Sequence, residues 1–202
     1  MKTTLTLILS LTLAGAAIAS KKPAQKKADD SQVFYVYAEK SDKKNHFIPS
    51  GWMGDYGDLK LDDNYRTDCL DGATCVKWTY SALGAQGMNW AGVYWQQPAN
   101  NWGTRAGGYD LKGYKRLTFW AKGAADGVRI EEFKVGGITG EFGDSDAESI
   151  GPIVLTKDWK KYTIELGEKQ LQHIVGGFCW AANKDNNPTG FTLYLDEIRY
   201  ER

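Results

Sequence analysis

Residues 74–96 read TCVKWTYSALGAQGMNWAGVYWQ, two runs rich in Val, Thr, Tyr and Trp separated by a stretch containing Gly, Ala and Asn. β-Branched and aromatic side chains fill a pleated, half-buried surface, and Gly and Asn interrupt it, so this stretch predicts strands over 74–81 and 91–96. The same texture recurs on either side. It predicts further strands over 33–38, 58–61, 116–122, 128–135, 153–156, 161–166, 177–182 and 191–200. About ten short strands punctuated by turn residues predict an all-β fold, a two-sheet antiparallel β-sandwich of the jelly-roll kind with minimal helix. One short helical candidate, 168–174, is expected to make a single turn.

The chain has 202 residues with 25 basic and 25 acidic side chains, 26 aromatics, three Cys and two His. A formal charge of zero removes the electrostatic basis for a nucleic-acid partner. Two His leave little for His-based triads or multi-His metal centres. No G-x-G-x-x-G, P-loop, H-E-x-x-H or G-x-S-x-G occurs, and no repeat of fixed period. All the aromatics lie from Phe34 onward, where about one residue in seven carries a ring.

Residues 1–19 read as a secretory signal peptide: Lys2, an apolar run too short to span a bilayer, and Ala17-Ile18-Ala19 as cleavage site. Residues 20–31 contain no aromatic and no large aliphatic, which predicts a flexible basic leader before a single domain over 32–202. Removing both segments takes away five Lys and two Asp, so the domain carries 20 basic and 23 acidic residues, a net charge of −3. The expected location is outside the cytoplasm, periplasmic or secreted, with no transmembrane segment in the mature chain. Cys69 and Cys75 flank a short Gly-containing loop and in an oxidising compartment close a disulfide; a metal pair is the rival reading, with no His or third Cys nearby. Cys179 is left as a buried thiol.

Sugars present C–H patches on their ring faces and hydroxyls at the rim, so a saccharide surface combines flat aromatic platforms with planar amides and carboxylates. Residues 89–103, NWAGVYWQQPANNWG, hold three Trp, one Tyr, two Gln and three Asn. Strand alternation puts Val93 and Trp95 on one face and Tyr94 and Gln96 on the other, and Trp102 in the following polar loop. Parity assigns Phe133 and Val135 inward and Glu132 and Lys134 outward, and it pairs Phe178 with Trp180 against Cys179 and Ala181 without saying which of those pairs is buried. Trp78, Trp120 and Trp159, in or beside apolar runs, are expected in the core; for Trp52 and Tyr56 both readings stay open. Acidic clusters at Asp144-Ser145-Asp146 with Glu148, at Asp62-Asp63-Asn64 and at Asp185-Asn186-Asn187 have the oxygen donors Ca²⁺ takes, without EF-hand spacing, and read as solvated turns.

The motifs GGYDLKGYKRLTFWAKG, FKVGG, LTKDWKKYTIEL, GGFCWAANK and FTLYLDEIRYE, in that order, together with NWAGVYWQQPANNWG, resemble the secreted jelly-roll carbohydrate-binding modules of the galactose-binding-like superfamily. The resemblance covers essentially the whole domain. It implies a concave binding face with Tyr94, Gln96, Lys134 and Trp180 on it and Trp102 at the rim. It also implies a structural Ca²⁺, with Asp196 of the last strand and Glu39 after the first as ligands. The expected function is non-catalytic binding of a poly- or oligosaccharide. Two other classes remain at this point: a jelly-roll polysaccharide-degrading enzyme, and a structural envelope or interaction domain.

Overall fold

A computed structural model describes residues 32–202, so the signal peptide and leader expected over 1–31 lie outside the described residues. The domain is a sandwich of two antiparallel sheets, as the alternation predicts. One sheet has six strands: β11 (Lys160–Glu165), β6 (Arg116–Gly123), β13 (Phe191–Glu201), β4 (Cys75–Tyr80) and β3 (Leu59–Tyr65) in that order, with β1 (Val33–Tyr37) on the second half of β13. The other has five: β2 (Ile48–Gly54), β5 (Trp90–Gln96), β12 (Gly176–Asn183), β8 (Glu132–Gly136) and β9 (Ala147–Ile150). A two-stranded ribbon pairs β10 (Ile153–Leu155) with β7 (Val128–Ile130).

Two strands escape the sequence reading, and one predicted strand divides. β2 carries Pro49, Gly51 and Gly54, residues that ordinarily punctuate strands. β9 is AESI, with Ile150 its one β-branched residue and no aromatic. The run 128–135 breaks at Glu131, whose amide bonds the carbonyl of Ala181 instead of continuing a ladder. The segment 168–174 forms turns, not a helical turn. Its backbone is taken up by the 109–115 segment, through the amide of Leu111 to the carbonyl of Leu171 and reciprocal bonds between Tyr109 and Ile174.

The core lies between the sheets. Val93 and Trp95 of β5, Phe178 and Trp180 of β12 and Phe133 and Val135 of β8 face Val76, Trp78 and Tyr80 of β4, Leu117 and Phe119 of β6 and Leu193, Leu195 and Tyr200 of β13. Trp78 is its hub, packed edge-on against Trp52, Trp95 and Trp180 at ring separations of 5.1–5.8 Å. Each such side chain contributes about 1.5–3 kcal/mol by leaving water. The Tyr200 hydroxyl crosses between the sheets to the carbonyl of Gly177, 2.5 Å.

Trp78 is therefore core as expected, but Trp120 and Trp159 are not. Leu117, Phe119 and Ala121 take the inward positions of β6, so parity turns Trp120 out, half-buried, opposite Asp196 and Lys161. Trp159 is half-buried outside the sandwich, donating its indole N–H to the carbonyl of Asp68 (3.0 Å) beside Lys122, whose ammonium lies 5.1 Å from the ring centre. An apolar sequence neighbourhood does not tell one strand face from the other.

Candidate functional site

On the five-stranded sheet the inward set is Ala91, Val93 and Trp95 of β5, so Trp90, Gly92, Tyr94 and Gln96 point away from the core. Register then defines rows across the outer face. Met53, Gly92, Ala181 and Glu132 stand side by side on β2, β5, β12 and β8. Next to them run Tyr94, Cys179, Lys134 and Ser149. Beyond Gly92, Trp90 pairs with Asn183.

The centre of the face is built from small residues and its margins from long ones. A Cβ at Gly92 would meet the carbonyl of Trp180 at 2.6 Å and the Met53 methyl at 3.1 Å, so glycine keeps the floor low and lets the thioether lean across. Ala181 continues the floor. Glu132 and Lys134 rim it as an ion pair, 3.4 Å apart and both half-buried.

At the other end two loops, 97–108 and 137–146, close over the sheet. Their backbones meet where the amide of Phe142 bonds the carbonyl of Gly103, 2.9 Å, and Gly103 lies so close to Thr139 that a Cβ would sit 2.3 Å from its carbonyl oxygen. Beneath them Tyr94, Ile138, Val175 and Cys179 form a second apolar cluster outside the main core, with Met53 packed against it. Trp102 stands on top, 40% exposed, with its ring edge-on to Tyr94. Asp144 ties the loop down: its carboxylate accepts the amides of Ile138 (2.7 Å), Val175 (2.5 Å) and Gly176 (3.0 Å). Burial raises the Asp144 carboxyl above its ordinary value, and those amides oppose the rise.

Trp102 is exposed on this face and Lys134 reaches its surface half-buried beside Glu132, whereas three other expected residues are withdrawn from it. Tyr94 faces outward but is buried under the loops; its hydroxyl donates to the carbonyl of Gly136 (2.9 Å), and burial pushes that hydroxyl far above its ordinary range. Gln96 is fully buried, its Nε2 donating to the carbonyl of Asn101 (2.9 Å) and its Oε1 accepting the hydroxyl of Ser50 (3.0 Å), so it supports the Trp102 loop and burial keeps it from a sugar. Trp180 corrects the resemblance outright: it is fully buried between the sheets, because Cys179 and Ala181 take the outward positions of β12. Met53, Trp90 and Asn183 were missed. Starting the strand at Ala91 left Trp90 out, although the alternation that placed Tyr94 also places it; Met53 belongs to the unread β2.

Cys69 and Cys75 are joined in a disulfide with Cα atoms 5.5 Å apart, and Cys179 is a buried free thiol raised by burial. The two acids expected to hold Ca²⁺ serve this disulfide loop. Glu39 accepts the amides of Ala73 and Thr74, both at 2.8 Å, and the Thr74 hydroxyl at 2.5 Å. Asp196, fully buried, accepts the amides of Leu70 (3.0 Å), Asp71 (3.2 Å) and Glu197 (2.9 Å), while burial pushes its carboxyl up to about 8. Oxygens surrounded by N–H donors do not fit a cation, and among the described residues no three His, Cys, Asp or Glu cluster to hold a metal ion. Glu131 is the break between β7 and β8 and Glu132 opens β8: Glu131 bonds Arg129 (3.0 Å) and Asn186 (2.6 Å), whereas Glu132 pairs with Lys134.

No family model and no curated protein matches the sequence. Solved structures do match the fold. A family 30 carbohydrate-binding module aligns with a TM-score of 0.54 and 13% identity, covering 85% of this chain and 88% of that one. Another, from a cellulosomal cellulase of Clostridium thermocellum, gives 0.52 and 14%, covering 83% and 96%. The chain has the jelly-roll fold of a carbohydrate-binding module. At such identities the likeness carries the fold alone, and within that fold the outer face of the five-stranded sheet is the surface on which Trp102, Lys134 and Glu132 come together. Among the described residues no helix is long and apolar enough to cross a membrane.

Proposed function

We propose that this chain is an exported, non-catalytic carbohydrate-binding protein that holds a poly- or oligosaccharide along the outer face of the five-stranded sheet. The observation that carries the reading is the exposed Trp102 platform standing at the end of the low floor of Gly92 and Ala181. One sugar ring stacks on the indole, and Glu132, Lys134 and, at the far end of the floor, Asn183 meet hydroxyls along the glycan. From Trp90 to Tyr94 the strand covers about 13 Å, room for more than one ring. Export rests on the signal-like residues 1–19 and on the disulfide, which persists in oxidising compartments. The fold match to a module of a cellulase makes soluble β-1,4-glucan the first probe. Affinity electrophoresis in hydroxyethylcellulose, with other plant and bacterial glycans in parallel, tests the reading. Retention that Trp102→Ala abolishes supports it; a folded protein that ignores every glycan ends it.

A further inference from the structure

His173 lies in the turn segment between β11 and β12, and both its ring nitrogens point at carbonyl oxygens. Nδ1 is 2.7 Å from the carbonyl of Gly143 and Nε2 is 2.7 Å from that of Gly107. The first carbonyl belongs to loop 137–146 and the second to loop 97–108, the two loops that carry Trp102 over the sheet. A carbonyl only accepts, and a neutral imidazole has one N–H; both contacts are hydrogen bonds only when the ring is an imidazolium. Its backbone is fixed as well, with the amide of Ser145 on the carbonyl of His173 (2.8 Å) and the amide of His173 on the Ser145 hydroxyl (3.2 Å).

We propose that His173 is the positioning residue for the Trp102 platform: in its protonated form it fastens the two loops to each other, so that glycan binding is stronger below neutral pH than above it. The proposal rests on the Trp102 face being the binding face. Asp144, one residue past Gly143, supplies the opposing charge that interacts with the ring. The other charged groups of the packed segments have partners of their own or face solvent: Lys169 pairs with Glu148 (2.9 Å) and Asp146 (3.8 Å), Arg105 bonds the carbonyl of Ala99, Asp110 accepts the amide of Lys112 (2.9 Å), and Glu141 is exposed. A histidine changes charge between pH 5 and 8. On deprotonation one of the two carbonyls loses its donor, and the loop it belongs to is released on that side.

The test uses the intact protein in two arms. Without glycan, long-range ¹H–¹⁵N NMR reads the His173 ring directly, and the emission difference between the protein and its Trp102→Phe variant reads the platform. Two protonated nitrogens at pH 5.5, and a Trp102 signal that changes together with the ring on going to pH 8, are expected. With hydroxyethylcellulose or another retained glycan, affinity should fall about fivefold or more from pH 5.5 to pH 8, and His173→Gln, whose single amide nitrogen cannot reach both carbonyls with a titrating charge, should flatten the profile. A ring nitrogen without a proton at pH 5.5, or a wild-type profile shared by His173→Gln, overturns the proposal. The glycan-free arm stands alone, so absence of any bound glycan defeats the functional reading and leaves the clamp to be judged by the ring and the Trp102 signal.

Discussion

The exposed indole of Trp102 stands edge-on to the buried ring of Tyr94, centroids 6.0 Å apart and planes at 85°. One ring is offered to solvent and the other holds it up, so substitutions should separate their effects. Trp102→Ala removes the platform while leaving the Tyr94 cluster in place; glycan retention should fall about tenfold or more, with the melting temperature unchanged within two or three degrees. Tyr94→Phe keeps the ring and leaves the carbonyl of Gly136 without its donor, so it should cost about 1–3 kcal/mol of stability in a denaturant titration and weaken retention less.

The floor of the trough gives an independent handle. Ala181 is a half-buried outward residue in the middle of β12, flanked by Gly92 and Glu132. Ala181→Ile suits a strand and raises two extra branches into the groove. Stability should stay within about 0.5 kcal/mol while glycan affinity drops severalfold in calorimetry. An unchanged affinity would place the ligand elsewhere on the sandwich.

Trp180 should behave in the opposite way. It is fully buried against Trp78 and Phe191, and truncation leaves a cavity between the sheets. Trp180→Ala should cost about 3–5 kcal/mol in chemical denaturation, and any loss of glycan retention should track the unfolded fraction.

These contrasts mark how far the sequence could be read. Alternation located most strands and correctly turned Tyr94, Lys134 and Glu132 outward, because the period of two is a local property of the chain. It could not report that loops 97–108 and 137–146 fold back over the sheet, since that depends on contacts such as Phe142 with Gly103 between segments about forty residues apart. Tyr94 and Gln96 therefore changed from binding groups into supports. Trp180 was misplaced because parity pairs it with Phe178 without saying which side is dry. Glu39 and Asp196 were singled out by the resemblance alone, as calcium ligands, and only the structure reveals the amides of the disulfide loop they receive.

That loop yields the next prediction. The Cys69–Cys75 bond closes seven residues, and the chain-entropy account of such a small ring gives about 2 kcal/mol. Glu39 and Asp196 hold the same loop through four of its backbone amides, so it should retain its place after reduction. Cys69→Ala/Cys75→Ala should unfold at lower denaturant by about that amount yet keep full glycan retention, because the loop is fastened to the six-stranded sheet, away from Trp102.

Glu201, at the end of β13, sets the acid limit of stability. Burial alone would raise its carboxyl, but Arg116 (2.9 Å), Arg199 (3.0 Å), the Thr118 hydroxyl (3.0 Å) and Lys161 (3.5 Å) outweigh burial and hold it down to about 2. A carboxyl lowered in the folded state binds its proton more weakly there than in the unfolded chain, whose ordinary value is near 4.5. Its contribution is therefore fully present above pH 4.5 and disappears as the pH falls toward 2. Because the group is partly exposed, solvent screening reduces the stabilisation to about 1–2 kcal/mol. Glu201→Gln should lose that amount at pH 7 and approach the wild-type stability near pH 2, measured as denaturation midpoints across the range. Parallel curves for the two proteins from pH 7 to pH 2 would show that the four partners do not hold the carboxylate as the geometry requires.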